Sequence, residues 1–272
     1  MSQTLVEGSV VGRYRILSAL GRGGTASVFL VEEIASGRPW AMKVLRGPIK
    51  GSRLARFHQE FALQARFEHP NLLTGRSFGH HGSDPWFVTK RVSGGPWSQL
   101  KGKFSSGQEI LVASAVQVCN ALSYVHDRGI VHRDVKPSNV LVSDTGQCYL
   151  IDFGLAILND GNKTQERTKR LHGTLSYASP EQALGRPVDC RADLYCLGIC
   201  LYELVTGKRP FVAADAKTVL SMHVYSRAMP PSSLEAKVPR RLGELIEALM
   251  EKQPSDRPQS AAEVAKTLIA LG

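Results

Sequence analysis

Cysteine is scarce in this 272-residue chain, occurring only at Cys119, Cys148, Cys190, Cys196 and Cys200. The number is odd and no pair has C-x-x-C spacing. Neither a disulfide framework nor a tetrahedral zinc site is expected, and the five read as reduced core thiols. No run of about 18 apolar residues occurs, and the start MSQTLVEGSV lacks the basic residues and apolar stretch of a signal peptide. The expectation is therefore a soluble, unexported chain with no membrane contact by this segment, either cytoplasmic or the cytoplasmic domain of a longer protein. Internal repeats, low-complexity tracts and a basic tail are missing too. The formal charge of +10 is spread along the chain, which favours a solvated basic surface over nucleic-acid binding. His80 and His81 lie side by side in a Gly-rich stretch with no acidic or cysteine neighbour, and read as part of a turn rather than a metal site.

What is present suits a globular enzyme: 43% apolar and 21% charged residues, with enough length for one large domain or two unequal lobes. From residue 13 to about 45, short apolar runs broken by glycine (YRILSAL, ASVFLVEE, WAMKVL) predict three strands joined by turns. Leu54, Phe57 and Phe61 recur at spacings of three and four, which predicts a helix over 52–68 ended by His69 and Pro70. Strands near 72–78 and 86–92 would complete an antiparallel sheet, and the Ser-Gly-Gly-Pro at 93–96 reads as a hinge. Beyond it the patterns are mostly helical, at 107–128, 190–206, 215–226, 240–252 and about 260–271, with short strands at 140–142 and 148–151. A small sheet-rich lobe followed by a larger helical one is expected, with ligands in the cleft between them.

Chemistry-bearing residues fall in a few strings. Residues 21–28, GRGGTASV, lie between two expected strands, where Gly21 and Gly23 would let backbone N–H groups approach phosphates. No helix is expected straight after the glycines and no Gly-Lys-Ser/Thr occurs, so neither a dinucleotide fold nor a Walker loop fits. Residues 131–142, VHRDVKPSNVLV, put Asp134, Lys136 and Asn139 within six positions on a loop, and Asp152 in IDFGLA follows an apolar strand. Two acids, a cation and an amide suit phosphoryl transfer: one carboxylate for a hydroxyl proton, the other with the amide for Mg²⁺, and the ammonium for the moving phosphate.

With HRDVKPSN, DFG and SPE in that order, the chain resembles the eukaryotic-like protein kinases over nearly its whole length, from about Tyr14 to Leu271. Lys136 two places after Asp134, with Thr174 in GTLSYASPE, is similar to the serine/threonine branch. LYCLGICLYELVTGKRPF looks most like bacterial members. The resemblance implies an α+β, two-lobed protein-kinase-like fold. Residues 1–92 would form a small antiparallel-sheet N-lobe with one main helix, and 93–272 a larger, mostly helical C-lobe; together they make one kinase domain. It implies ATP and Mg²⁺, with Mn²⁺ a possible substitute, and protein substrates phosphorylated on Ser or Thr. Lys43 would hold the α- and β-phosphates and pair with Glu60. Asp134 would take the substrate hydroxyl proton, Lys136 would neutralise γ-phosphate charge, and Asn139 and Asp152 would hold the metal. Val28 and Ala41 above and Leu141 below would enclose adenine. Thr89 would guard the back of the pocket, and Lys90 and Val92 would offer backbone groups. Glu181 would pair with Arg257, and Asp193 would brace the catalytic loop.

By the same resemblance, Arg133 before the catalytic acid implies control by phosphorylation of the segment 152–181. Residues 161–172 carry four basic groups and one acid, so a phosphate of about −2 on Thr168 would bridge Arg133, with Arg56 as a second partner, and order the loop. Thr174 is expected to hydrogen-bond near Asp134 and Lys136. Autophosphorylation at Thr168 is expected, with a homodimer for reaction in trans. Three positions depart from the family pattern: Ala26 for a glycine, Trp40 for a small aliphatic residue, and Gln64 for an apolar one. A polar Gln64 must find a partner or weaken the helix alignment, and so implies helix positions close in energy. Two alternatives are a nucleotide-binding pseudokinase scaffold, which should have lost one of Lys43, Asp134, Asn139 or Asp152, and a small-molecule kinase, which should lack the segment Gly173 to Glu181.

Overall fold

In ASVFLVEE (Ala26–Glu33) alternate side chains Phe29, Val31 and Glu33 are buried, and in PWAMKVL (Pro39–Leu45) Met42 and Val44 are, so each strand carries one inward face. The computed structural model describes residues 5–47, 51–101, 104–158 and 175–271. The chain divides into two compact units, Met1–Ser93 and Gly94–Gly272. The first is built on a six-stranded antiparallel sheet of β1 (Val10–Val11), β2 (Tyr14–Arg22), β3 (Ala26–Glu33), β4 (Pro39–Leu45), β5 (Gly75–His81) and β6 (Asp84–Lys90), in the order β1-β2-β3-β4-β6-β5. One face is closed by Tyr14, Ile16, Phe29, Val31, Met42, Val44, Trp86 and Val88. On the other, helix α1 (Ser52–Gln64) sets Phe57 against Leu45 and Phe87, with Leu54, Phe61 and Phe78 around them.

Two local expectations need correction here, and one strand was not anticipated. His80 and His81 are not in a turn but end strand β5, with Cα partners Pro85 and Asp84. GRSFGHH has little strand propensity of its own; the strand is imposed by its pairing with the buried DPWFVTK of β6. Gly79 is part of this, since a Cβ there would overlap the Trp86 ring. Helix α1 stops at Gln64 rather than running to Glu68. Arg66 and Phe67 donate three residues back, to Leu63 and Gln64, and this tighter turn carries Phe67 into the interior. In the expected hinge, Gly94–Pro96 forms strand β7. Gly94 has φ 141°, and a Cβ there would overlap the carbonyl of Val142 on the neighbouring strand.

The second unit holds two small sheets. β7 pairs with β9 (Val140–Ser143), which pairs with β10 (Cys148–Leu150), and β8 (Ile130–Val131) pairs with β11 (Ile157–Leu158). Its helices are α2 (Phe104–His126), the short α3 (Pro180–Ala183), α4 (Cys190–Thr206), α5 (Ala216–Tyr225), α6 (Arg240–Leu249) and α7 (Ala261–Ile269). Helix α4 is buried on all sides from Ala192 to Val205, as its nearly continuous apolar sequence requires. It is capped by Asp189, which accepts from the Arg191 N–H, and ended by the left-handed Gly207 at φ 72°. No described helix is long and apolar enough to cross a membrane.

Candidate functional site

In the first unit, cross-strand pairing decides which expected residues share a face. Val28 lies opposite Lys43, and Ala41 lies opposite both Leu30 and Thr89. Side chains of directly paired residues project to the same side, so Val28, Ala41, Lys43 and Thr89 line the side of the sheet that carries α1. Lys90 is exposed at the end of β6, with Val92 just beyond it. Gly21 pairs with Val28, and Gly23 donates its N–H to Ala26 O at 2.9 Å. Among the described residues a Cβ at Gly21 would meet nothing within 4 Å, so no contact there demands glycine. Arg53 of α1 reaches over to Thr25 O (3.2 Å) and Arg46 O (2.6 Å), tying the helix start to the base of this hairpin.

Lys43 Nζ donates to both oxygens of Glu60, at 2.6 and 2.8 Å, with the Lys43 side chain 22% exposed and that of Glu60 5%. The ammonium also lies 5.9 Å from the Phe87 ring centre. Phe57, Glu60 and Gln64 form the buried stripe of α1. Gln64 Oε1 has no hydrogen-bond partner among the described residues. The Lys43–Glu60 pair is nonetheless intact, which counts against the expectation that a polar Gln64 leaves two helix positions close in energy.

In the second unit the loop after β8 is held by a buried carboxylate. Asp193 accepts from the backbone N–H groups of His132 (2.9 Å) and Arg133 (2.8 Å) and bonds His126 Nε2 (2.8 Å). Burial alone would raise its pKa. The His126 bond and the His132 N–H outweigh this and hold the carboxyl below the usual range. Clasping two successive N–H groups also fixes Arg133 at φ 65°, a left-handed conformation that a non-glycine residue adopts only when its surroundings enforce it. His132 Nε2 bonds Ile151 O at 3.1 Å, and its ring stands edge-on to Phe153 at 4.7 Å.

That clasp presents Asp134. Its Oδ2 accepts from Lys136 Nζ at 2.6 Å and from Asn139 Nδ2 at 2.9 Å, while Asn139 Nδ2 also bonds Asp134 O at 2.9 Å. Neither Asp134 Oδ1 nor Asn139 Oδ1 accepts a hydrogen bond among the described residues. Burial pushes the Asp134 carboxyl above its ordinary range, against the pull of Lys136 and with a further push from Asp152. Ile151 N–H donates to Asn139 O at 2.9 Å, so the strand end delivers Asp152 beside Asn139, at φ 67°. Asp134, Lys136, Asn139 and Asp152 are thus brought together. Leu141 follows on β9, opposite Tyr149 and Pro96.

Farther along, Glu181 and Arg257 form a bidentate pair at 2.8 and 2.9 Å, with side-chain exposures of 6% and 0%. Sequence reasoning missed Gln182, which completes a capping box with Ser179 and donates to Arg133 O at 2.9 Å, linking α3 to the catalytic-type loop. The box could have been read from Ser-x-x-Gln. It also missed Glu203, which receives Lys101 Nζ at 2.7 Å and the Tyr177 hydroxyl; no local pattern marks contacts so far apart in sequence. Thr168 and Thr174 lie outside the described residues.

Comparison with known proteins matches residues 14–268 to the protein kinase domain. The chain is 36% identical over 261 residues to the DNA damage-responsive serine/threonine-protein kinase RqkA of Deinococcus radiodurans, covering 94% of this chain and 39% of that protein. It is 35% identical over 270 residues to the serine/threonine-protein kinase PknB of Mycolicibacterium smegmatis, covering 95% and 43%. A third relative, the probable serine/threonine-protein kinase SCO3848 of Streptomyces coelicolor, is 36% identical over 264 residues, covering 93% and 39%. The chain therefore spans only about two fifths of the length of these relatives. A match over nearly all of its residues, joined to relatives of more than 30% identity, makes the chain a member of the protein kinase domain family.

Proposed function

We propose that the chain transfers the γ-phosphoryl group of ATP to Ser or Thr hydroxyls of proteins. The observation that carries the reading is the Asp134 carboxylate: one oxygen is occupied by Lys136 and Asn139, while the other is left for a substrate hydroxyl. Asp134 orients that hydroxyl and takes its proton as the oxygen attacks phosphorus. Its raised pKa makes it a better base than an ordinary carboxylate. Lys136, already at 2.6 Å from this carboxylate, neutralises charge gathering on the phosphoryl oxygens. Lys43, steadied by Glu60, holds the α- and β-phosphates, and the hairpin of Gly21 and Gly23 lies against them, the Gly23 N–H itself being spent on Ala26 O. Val28, Ala41, Thr89, Lys90, Val92 and Leu141 take the adenine.

The family uses ATP with a divalent metal. The amide oxygen of Asn139 and the carboxylate of Asp152 are hard oxygen donors of the kind Mg²⁺ prefers, and Mn²⁺ suits the same pair. Bound there, the ion would neutralise β- and γ-phosphate charge. The protein's part is positioning and electrostatics, with no covalent intermediate needed. The rest of the reading is autophosphorylation of Thr168 in trans within a homodimer, a phosphate bridging to Arg133, Thr174 bonding near Asp134, and a cytoplasmic setting. Structural support comes from the Glu181–Arg257 pair and from Asp193. That the relatives are named serine/threonine-protein kinases favours serine and threonine as acceptors.

The test is incubation with γ-labelled ATP, Mg²⁺ and a generic basic protein, beside Asp134→Asn. The wild type should label Ser and Thr of the protein, and the variant should lose at least about 10²-fold in rate. Equal labelling by the variant would overturn the role of Asp134, and label found only in small molecules would overturn protein as substrate.

A further inference from the structure

Two imidazoles on different elements of the first unit meet away from the residues assigned above. His58 comes from α1 and His80 from β5; both are exposed and their ring centres are 6.3 Å apart. Each stands edge-on to Phe78, at 5.0 and 5.3 Å, and Phe78 packs on Phe57 and Phe61 of α1. Phe78 and His80 are two apart on a strand and share the face that α1 covers, so the two imidazoles have one apolar wall behind them. His81 falls on the opposite face.

Imidazole nitrogen suits Zn²⁺, Ni²⁺ and Cu²⁺. With zinc–nitrogen bonds of about 2.0–2.1 Å, two imidazoles on one ion have ring centres roughly 5–6 Å apart, a spacing these exposed rings reach by a small rotation. Among the described residues no group of three or more His, Cys, Asp or Glu has metal-binding geometry, so water would fill the remaining positions. We propose that His58 and His80 form a two-histidine site for a borderline divalent first-row cation, represented by Zn²⁺, which ties α1 to β5.

A tie at this point adds to the Arg53 bonds and the Lys43–Glu60 pair that already hold α1, a helix whose two ends lack local reinforcement. Its N-cap, Gly51, makes no side-chain cap hydrogen bond, and its first turn has no acidic residue to meet the helix dipole. At its other end Gln64 buries an amide oxygen that has no hydrogen-bond partner among the described residues. His58 lies two residues before Glu60 on the same helix. Resting on the kinase reading, a cation that fixes α1 on β5 keeps Glu60 at Lys43 and so favours the phosphate-holding arrangement.

Calorimetric titration of the whole chain with Zn²⁺ alone tests the site, alongside amide hydrogen exchange of α1. His58→Ala and His80→Ala each should weaken binding by at least about tenfold, while His81→Ala leaves it unchanged. Exchange of α1 amides should slow with Zn²⁺ in the wild type and in His81→Ala, and stay unchanged in the other two. All three are surface substitutions outside the proposed catalytic machinery. Binding that survives in the His58→Ala/His80→Ala double variant, or that is lost with His81 and not with His80, would overturn the proposal. Neither readout uses ATP, so failure of the site and failure of the kinase reading are separate results.

Discussion

Replacing Glu181 by Ala takes away the carboxylate that holds two of the N–H groups of Arg257. The remaining three donate to the carbonyls of Glu251, Arg191 and Lys252, so every guanidinium donor is used in the intact protein. With its side chain 0% exposed, Arg257 cannot turn to water when its counter-ion goes. A buried charge left this way costs about 3–5 kcal/mol, a large part of a typical domain stability of about 5–15 kcal/mol. Arg257→Ala should cost a similar amount, because Glu181 then keeps its charge without either bond. The apolar pair Glu181→Leu/Arg257→Met leaves no charge behind and should be less destabilised than either alanine variant. Urea unfolding followed by far-UV circular dichroism reports chiefly on the helices of the second unit, where both residues lie, and a constant slope checks that the comparison is sound. Alanine variants that each cost under about 1 kcal/mol, or a double variant as damaged as the two singles combined, would refute the reasoning.

Two further outcomes are expected. Gln64→Leu removes a buried amide whose oxygen has no partner among the described residues and should raise stability by about 1–2 kcal/mol, read as a higher urea midpoint; a lower midpoint would show that the amide is satisfied in solution. Burial, reinforced by the Lys252 charge, pushes His223 from 6.5 down to about 4. The unfolded chain therefore binds the proton first on acidification. This contribution to stability is full above about pH 6.5 and is lost as pH falls toward 4, on the order of 3 kcal/mol in all. His223→Phe should flatten that stretch of the urea midpoint against pH, and an unchanged slope would contradict the assignment.

The catalytic-type strings were readable because phosphoryl chemistry packs unlike side chains into short contiguous stretches. Asp134, Lys136 and Asn139 lie within six positions and prove to be hydrogen-bonded to one another. Lys43 and Glu60 needed the family resemblance, since a strand lysine and a helix glutamate have no local mark that sets them apart. Where the resemblance placed a bracing carboxylate at Asp193, the structure adds its burial and its partners: His126, His132 and Arg133. What stayed hidden depends on contacts between distant segments. The Tyr195–His223–Lys252 cluster draws on α4, α5 and the turn after α6. Strand β5 is imposed by its neighbour, and His58 meets His80 only once α1 lies across the sheet. Periodicity gave the direction of α1 but not its end, because the tightened turn at Arg66 and Phe67 is driven by burial of Phe67.

Under the proposed function, Lys43, Asp134, Asn139 and Asp152 serve one nucleotide. A crystal structure of the chain with a non-hydrolysable ATP analogue and Mg²⁺ tests it most directly. The account predicts the ion on Asn139 Oδ1 and the Asp152 carboxylate, Lys43 Nζ against the α- and β-phosphates, and the γ-phosphate facing Asp134 Oδ1. A nucleotide bound with its phosphates away from these four side chains would contradict it.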